Sequence, residues 1–235
     1  MKRDSLSLPF RLNASQIKLL GCLFMFIDHI GALLFPEQLW LRCLGRVSFP
    51  LFAFMLANGY RHTHDRGRYL LRLTAFGLLF QPLYAFCMQN GAWNIFLTLA
   101  AGMLAIIIHQ ACRQSGRQWL GLAAVAILAL AAEVLHLEYG WYGIALIFTA
   151  HLYFEDFQQL AIAWLLLNLV ILIPLSNISM VQVYSIFALL PLRIYNGERG
   201  RGGDLPGQGV PGHPLPAADA PELLRELAHA DRRDL

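Results

Sequence analysis

Between residues 17 and 195 the chain alternates long apolar runs with short polar breaks. The runs cover 17–35, 44–60, 69–88, 94–110, 119–135, 139–154, 160–175 and 180–195. A helix crossing the hydrocarbon core of a bilayer needs about 20 mostly apolar residues, and in lipid each backbone polar group must be satisfied within the segment. The pattern therefore predicts an all-α fold, a polytopic transmembrane helical bundle of about eight spans. The sixth and seventh runs are short, as shallow or tilted helices would be. The pattern divides the chain into an N-terminal arm (1–16), a transmembrane domain (17–197) and a tail (198–235). From Gly197 the chain reads GERGRGGDLPGQGVPGHPLPAADAP, a Gly/Pro-rich composition that predicts disorder in the tail, with a short polar helix over 221–235.

Composition strengthens this reading. Of the 235 residues, 57% are hydrophobic and only 14% charged, where a soluble domain carries about a quarter charged. Mean hydropathy is +0.50. Lys2, Arg3, Arg11 and Lys18 precede the first run as in a signal peptide, but that run holds Asp28 and His29 and no small-residue cleavage site follows it. It is read as a retained first span. Cys22, Cys43, Cys87 and Cys112 lie in apolar segments without metal-ligand spacing, so buried single thiols are expected and no metal. Cys43 and Cys87 both fall near the same ends of their helices, which leaves a disulfide open.

The placement of charge sets the orientation. The N-terminal arm, the second break (Arg61, Arg66, Arg68, with Arg72 just beyond), the fourth break (Arg113, Arg117) and the C-terminal end (Arg193, Arg199, Arg201) carry the basic residues. The positive-inside rule then gives a multi-pass protein, expected in the bacterial inner membrane, with both termini cytoplasmic. The sixth break, with Glu155 and Asp156, departs from the rule. No basic face suggests a nucleic-acid partner. The partner these features imply directly is the lipid bilayer.

Ionisable residues inside a span are costly and usually face the bundle interior. Asp28 and His29 sit eleven and twelve residues into the first run, past the midplane. Arg46 opens the second run and comes to a similar depth on an antiparallel helix. The Asp28–Arg46 pair reads either as a structural tie between two helices or as part of a site in which neutral His29 accepts a proton. Pro50 predicts a kink in the second helix. The segment RHTHDRGRYLLRL is a topogenic basic loop, or a place where Arg61, His62, Arg66, Arg68 and Arg72 hold a phosphate-bearing donor. Asn94, Thr98 and Gly102 form a helical stripe suited to close packing. Glu133, His136 and Glu138 read as solvated loop residues or, as a second reading, as members of the outer site, and His109 and His151 as interface residues. No GxSxG, HExxH, P-loop or dinucleotide fingerprint is present.

IDHIGALLFP, then LRCLGRVSFPLFAFMLANGYRHTHDRGRYLLRL, NIFLTLAAGMLA, EYGWYGIALI and ALLPLRIYNGERG, together resemble the TraX family of conjugative F-type pilin acetylases. The resemblance runs from about residue 17 to residue 200. It implies a transmembrane acyltransferase fold and transfer of an acetyl group from acetyl-CoA, as co-substrate, to an amine such as a pilin N-terminus, or to a hydroxyl of a glycan acceptor, at the outer face. It points to Asp28, His29, Arg46, Pro50, His62, Thr63, Arg72, Asn94, Thr98, Tyr139, Gly140, Gly143, Tyr195, Asn196 and Gly197. On this reading His29, Asp28 and Arg46 are catalytic, and the basic segment around His62 binds CoA. Family members continue past the YNGxRG segment into a further apolar helix. Here the Gly/Pro-rich stretch stands in its place, as a frameshift or truncation would leave it. Two other readings stay open: a small proton-coupled transporter using Asp28 and His29, and a non-catalytic membrane component of a conjugation or secretion apparatus.

Overall fold

The computed structural model describes residues 11–171 and 180–200. Lys2, Arg3, the end of the seventh run and the tail from Arg201 lie outside the described residues. The described residues belong to one compact unit ending at Gly200; the second, Arg201–Leu235, lies wholly outside them. The helices are α1 (Ala14–Leu33), α2 (Leu39–Gly45), α3 (Ser48–His62), α4 (Arg66–Met88), α5 (Ile95–Gln114), α6 (Gln118–Val134), α7 (Gly140–Leu152) and α8 (Phe157–Ile171). A 3-10 segment (Met180–Ala188) leads into α9 (Leu189–Arg193).

Local chemistry sets several helix starts. Asn13 and Gln16 form a reciprocal capping box on α1, Asp65 caps α4 through the Arg68 amide, and Asn94 caps α5 through the Phe96 amide; each satisfies amides that a first turn leaves without partners. The second run does not kink at Pro50. It breaks at Arg46–Val47 into α2 and α3, and Pro50 is the third residue of α3. A proline in a first turn removes an amide the helix does not use and leaves the carbonyl four residues back unbonded. That carbonyl is Arg46's, at the break.

Among the described residues, Ala14–Leu33, Leu39–His62, Arg66–Met88 and Ile95–Gln114 are long and apolar enough to cross a membrane. The four later apolar segments are shorter, 10–17 residues; at 1.5 Å per residue the longest reaches about 25 Å, less than the ~30 Å core. Among the described residues the eight runs are helical, and the first four have full spanning length. The protein is a helical membrane protein, and its outward rows fit lipid: Leu79 and Phe86 of α4 are 70% and 78% exposed.

The core centres on α3, which packs against α1, α5, α7 and the 3-10 segment. Phe49, Leu51, Met103, Ile106, Tyr142 and Ile147 are fully enclosed there. α4 lies to one side, packed on α5 and only lightly on α1. The Asn94–Thr98–Gly102 stripe serves close packing: Asn94 Nδ2 donates to the Gly77 carbonyl (2.7 Å), and Gly102 receives Ile147. The four cysteines are free, and Cys22 is exposed rather than buried.

Candidate functional site

Two polar regions lie at opposite ends of the bundle. The first, at the C-terminal end of α1, is built on Asp28, which is buried. Arg42 Nη1 meets Asp28 Oδ2 at 2.6 Å and also donates to the Asp28 carbonyl at 3.0 Å. Arg46 Nε stands 3.9 Å from Oδ1. Arg42 is therefore the main partner of Asp28 and Arg46 the secondary one. Arg42 and Arg46 are four residues apart on one face. Glycines let this face approach: a Cβ on Gly45 would lie 2.6 Å from Asp28 Cγ, and one on Gly31 2.7 Å from Leu41 Cβ.

Asp28 Oδ1 and Arg46 Nε are buried without a hydrogen-bond partner among the described residues. They face each other at 3.9 Å, as an ion pair without a hydrogen bond. Arg46 Nη1 also reaches Gln182 Oε1 at 3.4 Å. Gln182 belongs to a 3-10 segment fixed by a buried network, in which Tyr142 Oη, Ser185 Oγ (2.8 Å apart) and Asn168 Oδ1 (3.0 Å from Ser185 Oγ) meet.

Residues 135–139 close the same region. Tyr139 stacks on Phe49 with ring centroids 4.0 Å apart, and Arg46 lies over the Tyr139 ring at 5.8 Å. Its backbone is left-handed at φ 66, a conformation non-glycine residues adopt at a cost and that recurs at functional sites. The loop is held from both sides: Thr98 Oγ1 donates to the Glu138 carbonyl (2.6 Å), and the Glu138 amide to the Trp93 carbonyl (2.9 Å). Burial pushes the Glu138 carboxyl up to about 7, Arg46 pulls against that, and Asp28 adds to it. Glu138 is thus part of the cluster rather than a solvated loop residue.

His29 neighbours Asp28 in sequence, but its ring takes a different partner. Nδ1 lies 2.7 Å from the Met25 carbonyl. A carbonyl only accepts, so the neutral ring carries its proton on Nδ1 and leaves the Nε2 lone pair free. Asp28 is engaged with the arginines, and Met25 orients His29.

The second region is a cavity of about 430 Å³ at the N-terminal end of α1, lined in part by Lys18, His62, Thr63, Arg68, Arg72 and Arg199. The predicted basic segment is divided here. His62, Thr63, Arg68 and Arg72 meet at the cavity, whereas Arg61 pairs with Glu155 (2.8 Å) and lies over Phe154, and Arg66 lies over Tyr60. Asn196 shapes the turn beside the cavity, its Oδ1 accepting from the Glu198 amide (2.9 Å). Pro50 acts through the helix break, and Asn94 through its side-chain cap and its bond to Gly77, as described above.

Sequence reasoning missed Arg42 and Gln182 at the first region, and Lys18 and Arg199 at the second, and it held Glu138 there only as the second reading. Arg42 carried a signal in its spacing of four from Arg46. Glu138 carried one in its place beside Tyr139.

The model of the TraX protein family matches residues 13–200. The chain is 28% identical over 200 residues to "Probable fimbrial assembly protein FimC, serogroup H1" of Dichelobacter nodosus, covering 77% of this chain and 78% of that protein. It is 28% identical over 165 residues to "Protein TraX" of Escherichia coli, covering 69% of this chain and 65% of that relative, just under two thirds of its length. No solved structure matches. With four-fifths of its length, both polar regions included, inside the matched span, the chain belongs to the TraX family.

Proposed function

We propose that this protein is a membrane-bound acetyltransferase that moves an acetyl group from acetyl-CoA to an amine, such as a pilin N-terminus, or to a hydroxyl at the outer face of the bacterial inner membrane. The observation that carries this reading is that one bundle holds a cationic cavity at one end and a buried charged cluster at the other, both built from family-motif residues. The cavity end bears the basic residues and faces the cytoplasm, where acetyl-CoA is found. A relative described as a fimbrial assembly protein supports a pilus subunit as acceptor.

The acceptor nitrogen or oxygen attacks the thioester carbonyl carbon, the C–S bond breaks and CoA leaves as the thiolate. His29 Nε2 takes the acceptor's proton, because Nδ1 is held by Met25. Arg46, with its Nε unbonded, stabilises the oxyanion as charge develops, a task at which a fixed cation in a dry site is effective. Asp28 and Arg42 hold Arg46 in place. From Lys18 to His29 is eleven residues along α1, about 16 Å, a distance for the extended pantetheine arm to cover. The test is transfer of labelled acetyl from acetyl-CoA in membranes containing the protein. Label is expected in a pilin or glycan fraction with wild type and not with His29→Ala at equal expression. Folded wild-type protein that labels neither acceptor overturns the reading.

A further inference from the structure

The cavity beside Lys18 has a wall contributed by neither α3 nor α4. Residues 194–200 run back along the start of α1 and are fastened to it. The Leu12 amide donates to the Ile194 carbonyl (3.0 Å), the Asn196 amide to Leu12 (2.8 Å) and the Ala14 amide to Glu198 (2.8 Å). Ser15 Oγ donates to the Arg199 carbonyl (2.9 Å). That last bond uses only the backbone of Arg199, a residue that also lines the cavity. Gly200 closes the strap at φ +80, where a Cβ would lie 2.5 Å from Asn13 Oδ1, the atom that caps α1.

Charge at this cavity is unbalanced. Lys18, Arg68, Arg72 and Arg199 line it against one carboxylate, Asp65. Asp65 is already engaged: Oδ1 accepts from the Arg68 amide (2.8 Å), and Oδ2 pairs with Arg68 Nε (3.0 Å). Lys18, Arg72 and Arg199 have no ion-pair partner among the described residues. They come from three separate elements, α1, α4 and the strap. A rule that only counts positive charge on the cytoplasmic side explains their number, not their convergence on one cavity. A volume of about 430 Å³ falls in the range of small-ligand sites. Converging unneutralised cations suit a ligand with several phosphate oxygens.

We propose that this cavity binds phosphate groups through Lys18, Arg72 and Arg199, and that the 194–200 strap, fastened to the start of α1, completes the site. The inference rests on the acetyl-transfer reading in one respect: the phosphates are then those of the CoA nucleotide. Anionic lipid headgroups offer the same chemistry at a cytoplasmic interface, so the test separates the two sources.

Purified full-length protein in zwitterionic nanodiscs is titrated with adenosine 3′,5′-bisphosphate, which has neither thiol nor acyl group. Lys18→Gln, Arg199→Gln and Gly200→Val are each expected to raise its Kd at least tenfold, while Arg113→Gln leaves it unchanged. Lys18→Arg and Arg199→Lys retain binding, which separates loss of charge from loss of fold; the ligand also slows tryptic cleavage after Arg199 in wild type. Recruitment of phosphatidylglycerol in place of the nucleotide, lost in the same variants, supports the phosphate site with lipid as its source and overturns the nucleotide assignment. Binding of neither probe, or binding indifferent to Lys18 and Arg199, overturns the inference. Bisphosphate binding without acetyl transfer sustains the phosphate site and counts against the enzyme reading. Acetyl transfer without such binding does the reverse.

Discussion

Replacing Arg42 with Met is expected to cost more stability than the same change at Arg46, although Arg46 is the residue the sequence pairs with Asp28. At an effective dielectric near 20, Coulomb's law gives roughly 6 kcal/mol for the Arg42 contact at 2.6 Å and roughly 4 for Arg46 at 3.9 Å, before desolvation is set against either. Removing one partner of a buried pair costs about 3–5 kcal/mol, because the remaining charge stays buried without compensation. Asp28 is that remaining charge, with a side chain only 9% exposed; Arg42, at 26%, keeps some contact with solvent and draws the cost to the lower end of the range. Arg42→Met should therefore cost about 3 kcal/mol, and Arg46→Met about half that. In the cycle with Asp28→Asn, Arg42 should show a coupling of about 2 kcal/mol. The assay is reversible unfolding in mixed micelles, followed by circular dichroism for the four proteins of the cycle. A loss under about 1 kcal/mol for Arg42→Met, additivity with Asp28→Asn, or a larger loss at Arg46 would refute the assignment of Arg42 as main partner.

Gly45→Ala places a Cβ against Asp28; overpacking of this kind costs about 1–3 kcal/mol, and the loss should be non-additive with Arg42→Met in the same unfolding assay. Asn94→Ala removes the α5 cap and the bonds to Gly77 and Gln81, a loss of about 2 kcal/mol; if Asn94→Asp restores none of it, the cap is not the cause. The Glu138 carboxyl is raised to about 7 from 4.5, so the folded state binds its proton more tightly than the unfolded state does. Stability from this group is greatest below about pH 4.5 and falls as pH rises through 7. Glu138→Gln should flatten that slope and exceed wild type in stability at pH 8; an unchanged pH–stability curve would count against the half-buried placement of Glu138 beside Arg46.

Much of this protein was legible in its sequence because membrane helices are specified locally. A long apolar run satisfies its backbone within itself, so the eight helical segments follow from hydropathy alone; the caps at Asn13, Asp65 and Asn94, which the sequence reading did not name, are equally local, with partners three or fewer positions away. The ionisable residues inside the runs marked one end of the bundle as a site for the same reason, since such groups must find partners.

Choice of partner is a different matter, fixed by shape between segments far apart in the chain. Asp28 takes Arg42 because Gly31 and Gly45 let α1 and α2 approach, and the break ahead of Pro50 keeps α2 short and separate. Glu138 joins the cluster because Thr98 of α5 and Trp93 of the α4–α5 connection hold its loop over Arg46. The basic segment divides for a similar reason: Arg61 leaves α3 towards Glu155 of the α7–α8 connection, whereas Arg68 and Arg72 face Lys18 across a cavity closed by residues more than 100 positions later. The sequence by itself determined the helices, their caps and the charges that need company. Only the tertiary structure decided which charge meets which, because that depends on how closely particular backbones approach, and hydropathy carries no record of it.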